Sequence, residues 1–311
     1  MKILLLGHTG FVGSNIVDFL LQEGIRHYGV SRSTGVDLRV QKEVVNQIKI
    51  YKPDYIVNCA AHVGSLNYVS KFSGEVINNN VQMISALYEA LRKIGKDITV
   101  INPIANCAFP GNANLYRESE WQLGEVHDSV ASYGNSRRLM HAYSIAYRKQ
   151  YGIKTINFFV PNMYGEYDST DPNKAHALNA LISKFVKAEM KDTWEVDIWG
   201  TGSPIREWLY AKDFAKVIVK VIRDSSLQNI LTQPVSIAQN NGISMKELAN
   251  IINVNFGDKM NLKYLTDMPD GASKKVMANE NFREYFGAFE FTDFNVGIKN
   301  TIQYYKSQYP Y

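Results

Sequence analysis

Gly7, Gly10 and Gly13 stand at three-residue intervals in the stretch Gly7-His8-Thr9-Gly10-Phe11-Val12-Gly13. The apolar run Met1-Lys2-Ile3-Leu4-Leu5-Leu6 precedes them and Ser14-Asn15-Ile16-Val17-Asp18-Phe19-Leu20 follows. Between a strand and a helix, the first glycine permits a tight turn, the second lets a pyrophosphate approach the backbone, and the third lets helix pack closely on strand. The helix N-terminus then turns its free N–H groups and positive dipole end toward the phosphates. Gly7, Thr9, Gly10, Phe11, Val12 and Gly13 are therefore the first candidate cofactor-binding residues. The second strand ends in Gly29-Val30-Ser31-Arg32-Ser33, with no acid at the tip where a ribose 2′-hydroxyl would be held. An arginine among hydroxyls suits a 2′-phosphate, so NADP(H) is favoured over NAD(H) with Arg32 as its ligand, the alternative being a solvated loop charge. Asp37-Leu38 stands where the adenine edge would lie.

A second constellation, Ser132-Tyr133-Gly134-Asn135-Ser136-Arg137, opens a predicted helix. Residues i and i+4 share a helix face, so Tyr133 and Arg137 project together. A tyrosine beside a fixed cation has its ionised form stabilised, which makes it a usable proton donor or acceptor near neutrality. In a chain with 19 tyrosines the pair draws its force from position, on the helix after the fourth strand region.

The elements that must hold these residues alternate along the first 230 or so positions. Strands are predicted at Lys2–Leu6, Tyr28–Ser31, Tyr55–Cys59, Thr99–Ile104 and Lys154–Val160. Helices are predicted around Gly13–Glu23, Val40–Tyr51, Glu75–Ile94 and Tyr133–Gln150. This βαβ rhythm predicts an α/β fold, a Rossmann-type doubly wound parallel sheet whose apolar strands are buried on both faces. Beyond Pro161 the rhythm weakens, which predicts a smaller mixed α/β C-terminal substrate-binding domain. The division expected is 1–160 for the NADP-binding domain, with a segment returning near 205–235, and 161–311 for the substrate-binding domain. Ser244-Met245-Lys246-Glu247 reads as a capping box opening a late helix.

Composition bounds the reading. The chain of 311 residues is 45% hydrophobic and 21% charged, as soluble globular proteins are. Its formal charge of +4 is not gathered into a basic run, which argues against nucleic acid and leaves an anionic small molecule as a natural partner. Two cysteines, Cys59 and Cys107, and no secretory leader pattern predict a reducing cytoplasm without a disulfide framework. No apolar segment of roughly 18 residues predicts a membrane span, and no metal site is read from the sequence. Cys59, at a strand end, reads as packing.

Further stretches recur in order beyond the glycine turn. They are Ala60-Ala61-His62-Val63-Gly64, Asn106-Cys107-Ala108-Phe109-Pro110, Pro161-Asn162-Met163-Tyr164-Gly165, His176-Ala177-Leu178-Asn179-Ala180-Leu181 and Trp199-Gly200-Thr201-Gly202-Ser203-Pro204-Ile205-Arg206-Glu207. With the GxxGxxG spacing of Gly7 to Gly13, they make the chain resemble the extended short-chain dehydrogenase/reductases that act on nucleotide sugars. Within that family the likeness is to GDP-sugar epimerase/reductases, which invert carbons beside a 4-keto group and reduce it.

The resemblance implies that Tyr133 protonates the C4 oxygen and that Arg137 stands at the family lysine bonded to the nicotinamide ribose. It implies that Cys107 and His176 exchange protons at C3 and C5, which a 4-ketone acidifies; inversion needs a base on one face and an acid on the other. Their intrinsic pKa values lie near enough to neutrality for that work. Ala60, Ala61, His62, Val160 and Asn162 are implied around the cofactor, and Asn106, Asn162, Lys184, Trp199 and Arg206 around the substrate. Trp208 is open between core and pocket wall. A homodimer through the helices after Glu75 and Tyr133 is implied as well.

Two departures stand out. The family's catalytic serine or threonine is Ala105, which has no hydroxyl to donate, leaving Asn106, Ser129 or Ser132 as substitutes. The family lysine is Arg137, which keeps the charge but cannot release a proton to a relay. Three readings follow: an NADP-dependent epimerase/reductase on a nucleotide-linked 4-keto sugar, a nucleotide-sugar epimerase with little net hydride transfer, and a catalytically silent NADP-binding protein.

Overall fold

In the computed structural model, which describes residues 1–311 other than 96, 172, 173 and 269, the apolar runs of the amino-terminal half lie side by side as parallel strands. In chain order β1 (Ile3–Leu6), α1 (Phe11–Gln22), β2 (His27–Val30), α2 (Gln41–Tyr51), β3 (Tyr55–Asn58), α3 (Leu66–Lys71), α4 (Ser73–Ile94), β4 (Thr99–Ala105), α5 (Ala131–Tyr151) and β5 (Thr155–Val160) come first. There follow β6 (Asn162–Tyr164), α6 (Ala177–Met190), β7 (Glu195–Trp199), β8 (Ile205–Tyr210), α7 (Ala211–Arg223), α8 (Ser225–Ile230) and β9 (Val235–Ser236). The chain ends with β10 (Gly242–Ser244), α9 (Met245–Val254), β11 (Asn261–Leu265), β12 (Lys274–Lys275), α10 (Glu280–Phe286) and α11 (Phe294–Gln308).

The main sheet is six-stranded in the order β2-β1-β3-β4-β5-β9, every pairing parallel. β1 shows how it is covered. Its side chains alternate between faces: Ile3 and Leu5 join Ile16, Leu20, Phe214 and Ile218 under α1 and α7, while Leu4 and Leu6 join Val44, Ile48, Leu87 and Leu91 under α2 and α4. A strand sealed on both sides has to be apolar throughout, which is why it reads as an unbroken run. Three neighbouring strands depart from that rule. Asn58, Asn102 and Asn157 are buried in register, with Asn58 Nδ2 donating to Asn102 Oδ1 at 3.1 Å and Asn102 Nδ2 to Asn157 Oδ1 at 3.1 Å. Tyr88 and Ser144 complete the chain of hydrogen bonds, so the buried amides are satisfied.

The predicted elements all form, within two or three residues of the expected ends; α3 is an additional short helix. The chain leaves β1 for β2 on one side and crosses back to β3 on the other, so the reversal of strand order lies between β1 and β3. Crevices of this kind, at the carboxyl ends of the strands, are where open parallel sheets take their ligands. A second layer is built on β8, which pairs with β6, β10 and β12. It shares a core with α6, α9 and α11. Ser244 caps α9 in a full capping box with Glu247.

Candidate active site

The glycine turn lies in the crevice, and the structure gives a reason for each glycine. Gly7 has φ +78°, and a Cβ there would stand 2.8 Å from Ala60 Cα, at the end of β3. At Gly13 a Cβ would stand 2.2 Å from Gly7 O, so helix and turn could not close together. Beside Gly10 such a Cβ would meet Gly7 O at 3.3 Å, closer than an ordinary contact, so the backbone there is also kept bare. α1 begins there with no side-chain cap and no acid in its first turn, so the N–H groups of Phe11, Val12 and Gly13 have no partner among the described residues, as a phosphate site requires.

At the tip of β2, Thr9 Oγ1 lies 2.9 Å from Ser31 Oγ and 2.8 Å from Ser33 Oγ, and the two serine oxygens are 2.8 Å apart. Exposed Arg32 stands beside this hydroxyl cluster with no ion pair among the described residues. A 2′-phosphate fits such a donor set. Asp37 and Leu38 follow the tip of β2. Arg39 grips the Asp37 carboxylate through Nε at 2.9 Å and Nη2 at 2.6 Å, holding its pKa down to about 2. The Leu38 side chain lies in the core, as does that of Val160.

The crevice continues past β3. Ala60 is buried and Ala61 exposed. The His62 ring is held between Asn79, 2.8 Å from Nδ1, and Tyr68 OH, 2.9 Å from Nε2, while Asn80 binds both backbone groups of His62. The same Asn80 Oδ1 accepts from Arg137 Nη2 at 2.6 Å. Arg137 is thus fixed, 2% exposed, with its guanidinium 4.9 Å from the Tyr133 ring centroid. This corrects the sequence expectation for Tyr133. The cation lies over the ring and makes no bond to the phenol oxygen, and burial outweighs it, so the phenol is held above its ordinary range.

Beyond β4 the chain makes a 3-10 turn, Asn106–Ala108, pressed against α5. A Cβ on Gly134 would stand 2.5 Å from Cys107 O, and Arg138 Nε donates to Ala108 O at 2.7 Å. Glycine at 134 therefore lets Cys107 and Tyr133 lie together. Burial pushes the Cys107 thiol up to about 11, with Lys275 and Arg137 pulling the other way; it is protonated at neutral pH, against the near-neutral value expected. Asn106 is 4% exposed and its Nδ2 has no partner among the described residues.

Two more cations close the mouth from the second layer. Arg206 and Lys275 are directly paired residues of β8 and β12, and burial lowers the pKa of each, Lys275 further through Arg206. Arg206 donates to the carbonyls of Ile205 and Asp270. The buried Glu207 carboxylate orders this wall by accepting from the backbone of Gln239, Asn240 and Met277. Arg137, Arg206 and Lys275 form no ion pair among the described residues, so the mouth is electropositive.

The remaining candidates divide. Asn162 sits at the crevice rim, Nδ2 donating to Glu207 O at 3.2 Å. Lys184 donates to Asp197 O at 2.7 Å and lies 5.2 Å from the ring of Trp199, itself 49% exposed, as a separate pair. Trp208 is core. His176 packs on Phe11, ring centroids 5.1 Å apart, and bonds to Asp168. Ser129 is engaged by His127. Cys59 packs against the core as read, its thiol pushed up to about 12 by burial.

Sequence reasoning missed Lys275, Asn80 and Asp168. Lys275 sits in the pair Lys274-Lys275 before the apolar Val276-Met277-Ala278, a pattern that by itself points nowhere; Asn80 and Asp168 act through partners 57 and 8 residues away.

Comparison with known proteins adds three findings. A family model described as NAD dependent epimerase/dehydratase family matches residues 3–231. The chain is 30% identical over 280 residues to a GDP-L-fucose synthase of Sinorhizobium fredii, covering 90% of this chain and 87% of that one. Its fold is shared by a GDP-L-fucose synthetase from Naegleria fowleri crystallised with NADP (TM-score 0.85, 23% identity, 99% and 94% of the two chains). It is shared too by a GDP-6-OMe-4-keto-L-xylo-heptose reductase from C. jejuni (TM-score 0.87, 22% identity, 99% and 98% of the two chains).

Proposed function

The chain belongs to the NAD dependent epimerase/dehydratase family, and on that premise we propose that it is an NADP(H)-dependent epimerase/reductase acting on a nucleotide-linked 4-keto sugar, with a GDP-sugar favoured. The observation that supports this reading best is the joining of Tyr133, Cys107 and three cations, none in an ion pair among the described residues, in one mouth beside an uncapped glycine turn. The names of the relatives, GDP-L-fucose synthase and GDP-heptose reductase, agree with it.

The coenzyme is assigned to Gly7, Gly10 and Gly13, to the N–H groups opening α1, and to Arg32 with Thr9, Ser31 and Ser33. When bound, it supplies a hydride for the keto carbon. Tyr133 hands its phenolic proton to the C4 oxygen; a buried phenol keeps that proton until a better acceptor, the developing alkoxide, arrives. Arg137, anchored by Asn80, offers donors to ribose hydroxyls and moderates the phenol electrostatically without relaying a proton. Arg206, Lys275 and Asn162 receive the diphosphate and sugar oxygens. Cys107 and His176 exchange protons at the carbons beside the ketone, with Lys275 and Arg137 favouring the thiolate of Cys107. Residues 1–160 with a return near 205–235 serve the coenzyme and 161–311 the sugar, in a cytoplasmic homodimer formed through α4 and α5.

The test offers GDP-, UDP-, CDP- and dTDP-linked 4-keto sugars with NADPH and follows oxidation of the nicotinamide. Stoichiometric consumption with one of them is expected. Ala105 and Arg137 favour a second reading, a nucleotide-sugar epimerase with little net hydride transfer. Solvent deuterium entering C3 or C5 without NADPH consumption would select it, and tight NADP binding with neither event would leave a non-catalytic binder.

A further inference from the structure

Asp168, in the segment between β6 and α6, has no part in the scheme above. Its side chain is 4% exposed, and among the described residues both its oxygens bond to one residue. Oδ2 accepts the backbone N–H of His176 at 2.8 Å, and the two oxygens lie 3.2 and 3.1 Å from His176 Nδ1. Starting α6 needs no more than a bond to a backbone N–H; the contact with the ring is additional. It makes Nδ1 the donor and leaves Nε2 as the ring nitrogen without a partner among the described residues. The other neighbour of the imidazole is Phe11, in the first turn of α1, where the glycine turn opens.

We propose that Asp168 is a positioning residue: it fixes the His176 imidazole with Nδ1–H turned to the carboxylate, so that Nε2–H is the proton presented to the carbon beside the substrate's keto group. The proposal rests on the reading of His176 as a proton-exchanging residue. In the inversion the thiolate form of Cys107 takes the C–H proton from one face of that carbon and later releases it to solvent, while the Nε2–H proton forms the new C–H bond on the other. No electrons change hands, and the ring, left neutral, regains a proton from solvent. Burial by itself would push the imidazole down, but the carboxylate more than offsets it, so the cationic donor form persists above the ordinary histidine range. Among the described residues Asp168 is the one charge bearing on the ring. Phe11 covers it with carbon, and Tyr304 and Tyr305 of α11 face Asp168 with phenols that burial keeps neutral. Because the folded pKa is raised, the pair adds stability that is fully present below the ordinary histidine pKa and is lost as pH rises through the folded value.

Asp168→Asn keeps an acceptor oxygen for the helix start and removes the charge. Two measurements test it: ring-nitrogen NMR titration of His176, its signal assigned by its loss in His176→Gln, and the pH profile of deuterium uptake from D2O into a GDP-linked 4-keto-6-deoxy sugar. The expected result is a His176 midpoint about one unit or more lower in the variant, and an exchange rate that falls about tenfold above neutrality but much less at acid pH, one unit being a factor of ten. Coincident midpoints and pH profiles in the two proteins would overturn the proposal. Absence of any exchange in the parent protein defeats the role of His176 instead, and the titration still decides that of Asp168. If the variant does not fold, a parent midpoint at or below about 6.5, the ordinary histidine value, is the overturning result.

Discussion

The turn after β1 and the turn after β4 lie at the same edge of the same sheet, with only β3 between them, and they are built on opposite principles. The first works with backbone. Its glycines make room, its N–H groups and helix dipole attract an anion, and its side chains add a few hydroxyls. The second works with buried side chains, a phenol, a thiol and three cations, whose behaviour depends on desolvation and on residues delivered from elsewhere. A site made of backbone tolerates little change of shape, whereas a site made of buried side chains is governed by small changes of charge. This is why Ala105 and Arg137 matter in the second turn.

The comparison can be broken or sharpened by substitution. Tyr133→Phe removes the acid and keeps the ring on which Arg137 lies. NADPH oxidation by the 4-keto sugar is expected to fall by about 10²- to 10⁴-fold, the usual worth of a positioned proton donor, with NADPH affinity unchanged in a fluorescence titration. Retention of rate would separate the phenol from the chemistry. Gly13→Ala forces a methyl into the space of Gly7 O. It is expected to cost about 1–3 kcal/mol of folding stability in thermal melts, as overpacking does, and to weaken coenzyme binding. An unaltered coenzyme titration would show that the turn is not the cradle. Ala105→Ser, at the end of β4, returns the missing hydroxyl; a gain of about tenfold in NADPH oxidation is expected, near the net worth of one hydrogen bond. No gain would mean that another donor, with the unpartnered buried Asn106 amide the nearest, already serves the substrate oxygen.

The two turns also differ in how readable they were. Gly7 to Gly13 announce themselves because a turn with φ +78° and a close helix crossing impose residue types locally. The strand–helix alternation was equally legible, since burial on both faces leaves strands no polar positions to spare; the ladder Asn58, Asn102, Asn157 is the exception, satisfied across strands where no single segment shows it. Tyr133 and Arg137 were visible as a helical pair, but not the way Arg137 lies on the ring and answers to Asn80. The grip of Arg39 on Asp37 and the burial of the Leu38 side chain were not legible in the sequence.

By itself, then, the order of residues determined the strand, turn and helix succession, the glycine turn and which side chains stand at the ends of β4 and α5. Those outcomes follow from torsion angles and periodicity, which depend on residues a few positions apart. Tertiary structure alone decided that Arg206 and Lys275 meet across β8 and β12, that Asp168 holds His176, and that Cys107 and Tyr133 keep their protons. Protonation depends on how much water is excluded and which charges remain nearby, and both are set by atoms that come together only when distant parts of the chain have packed.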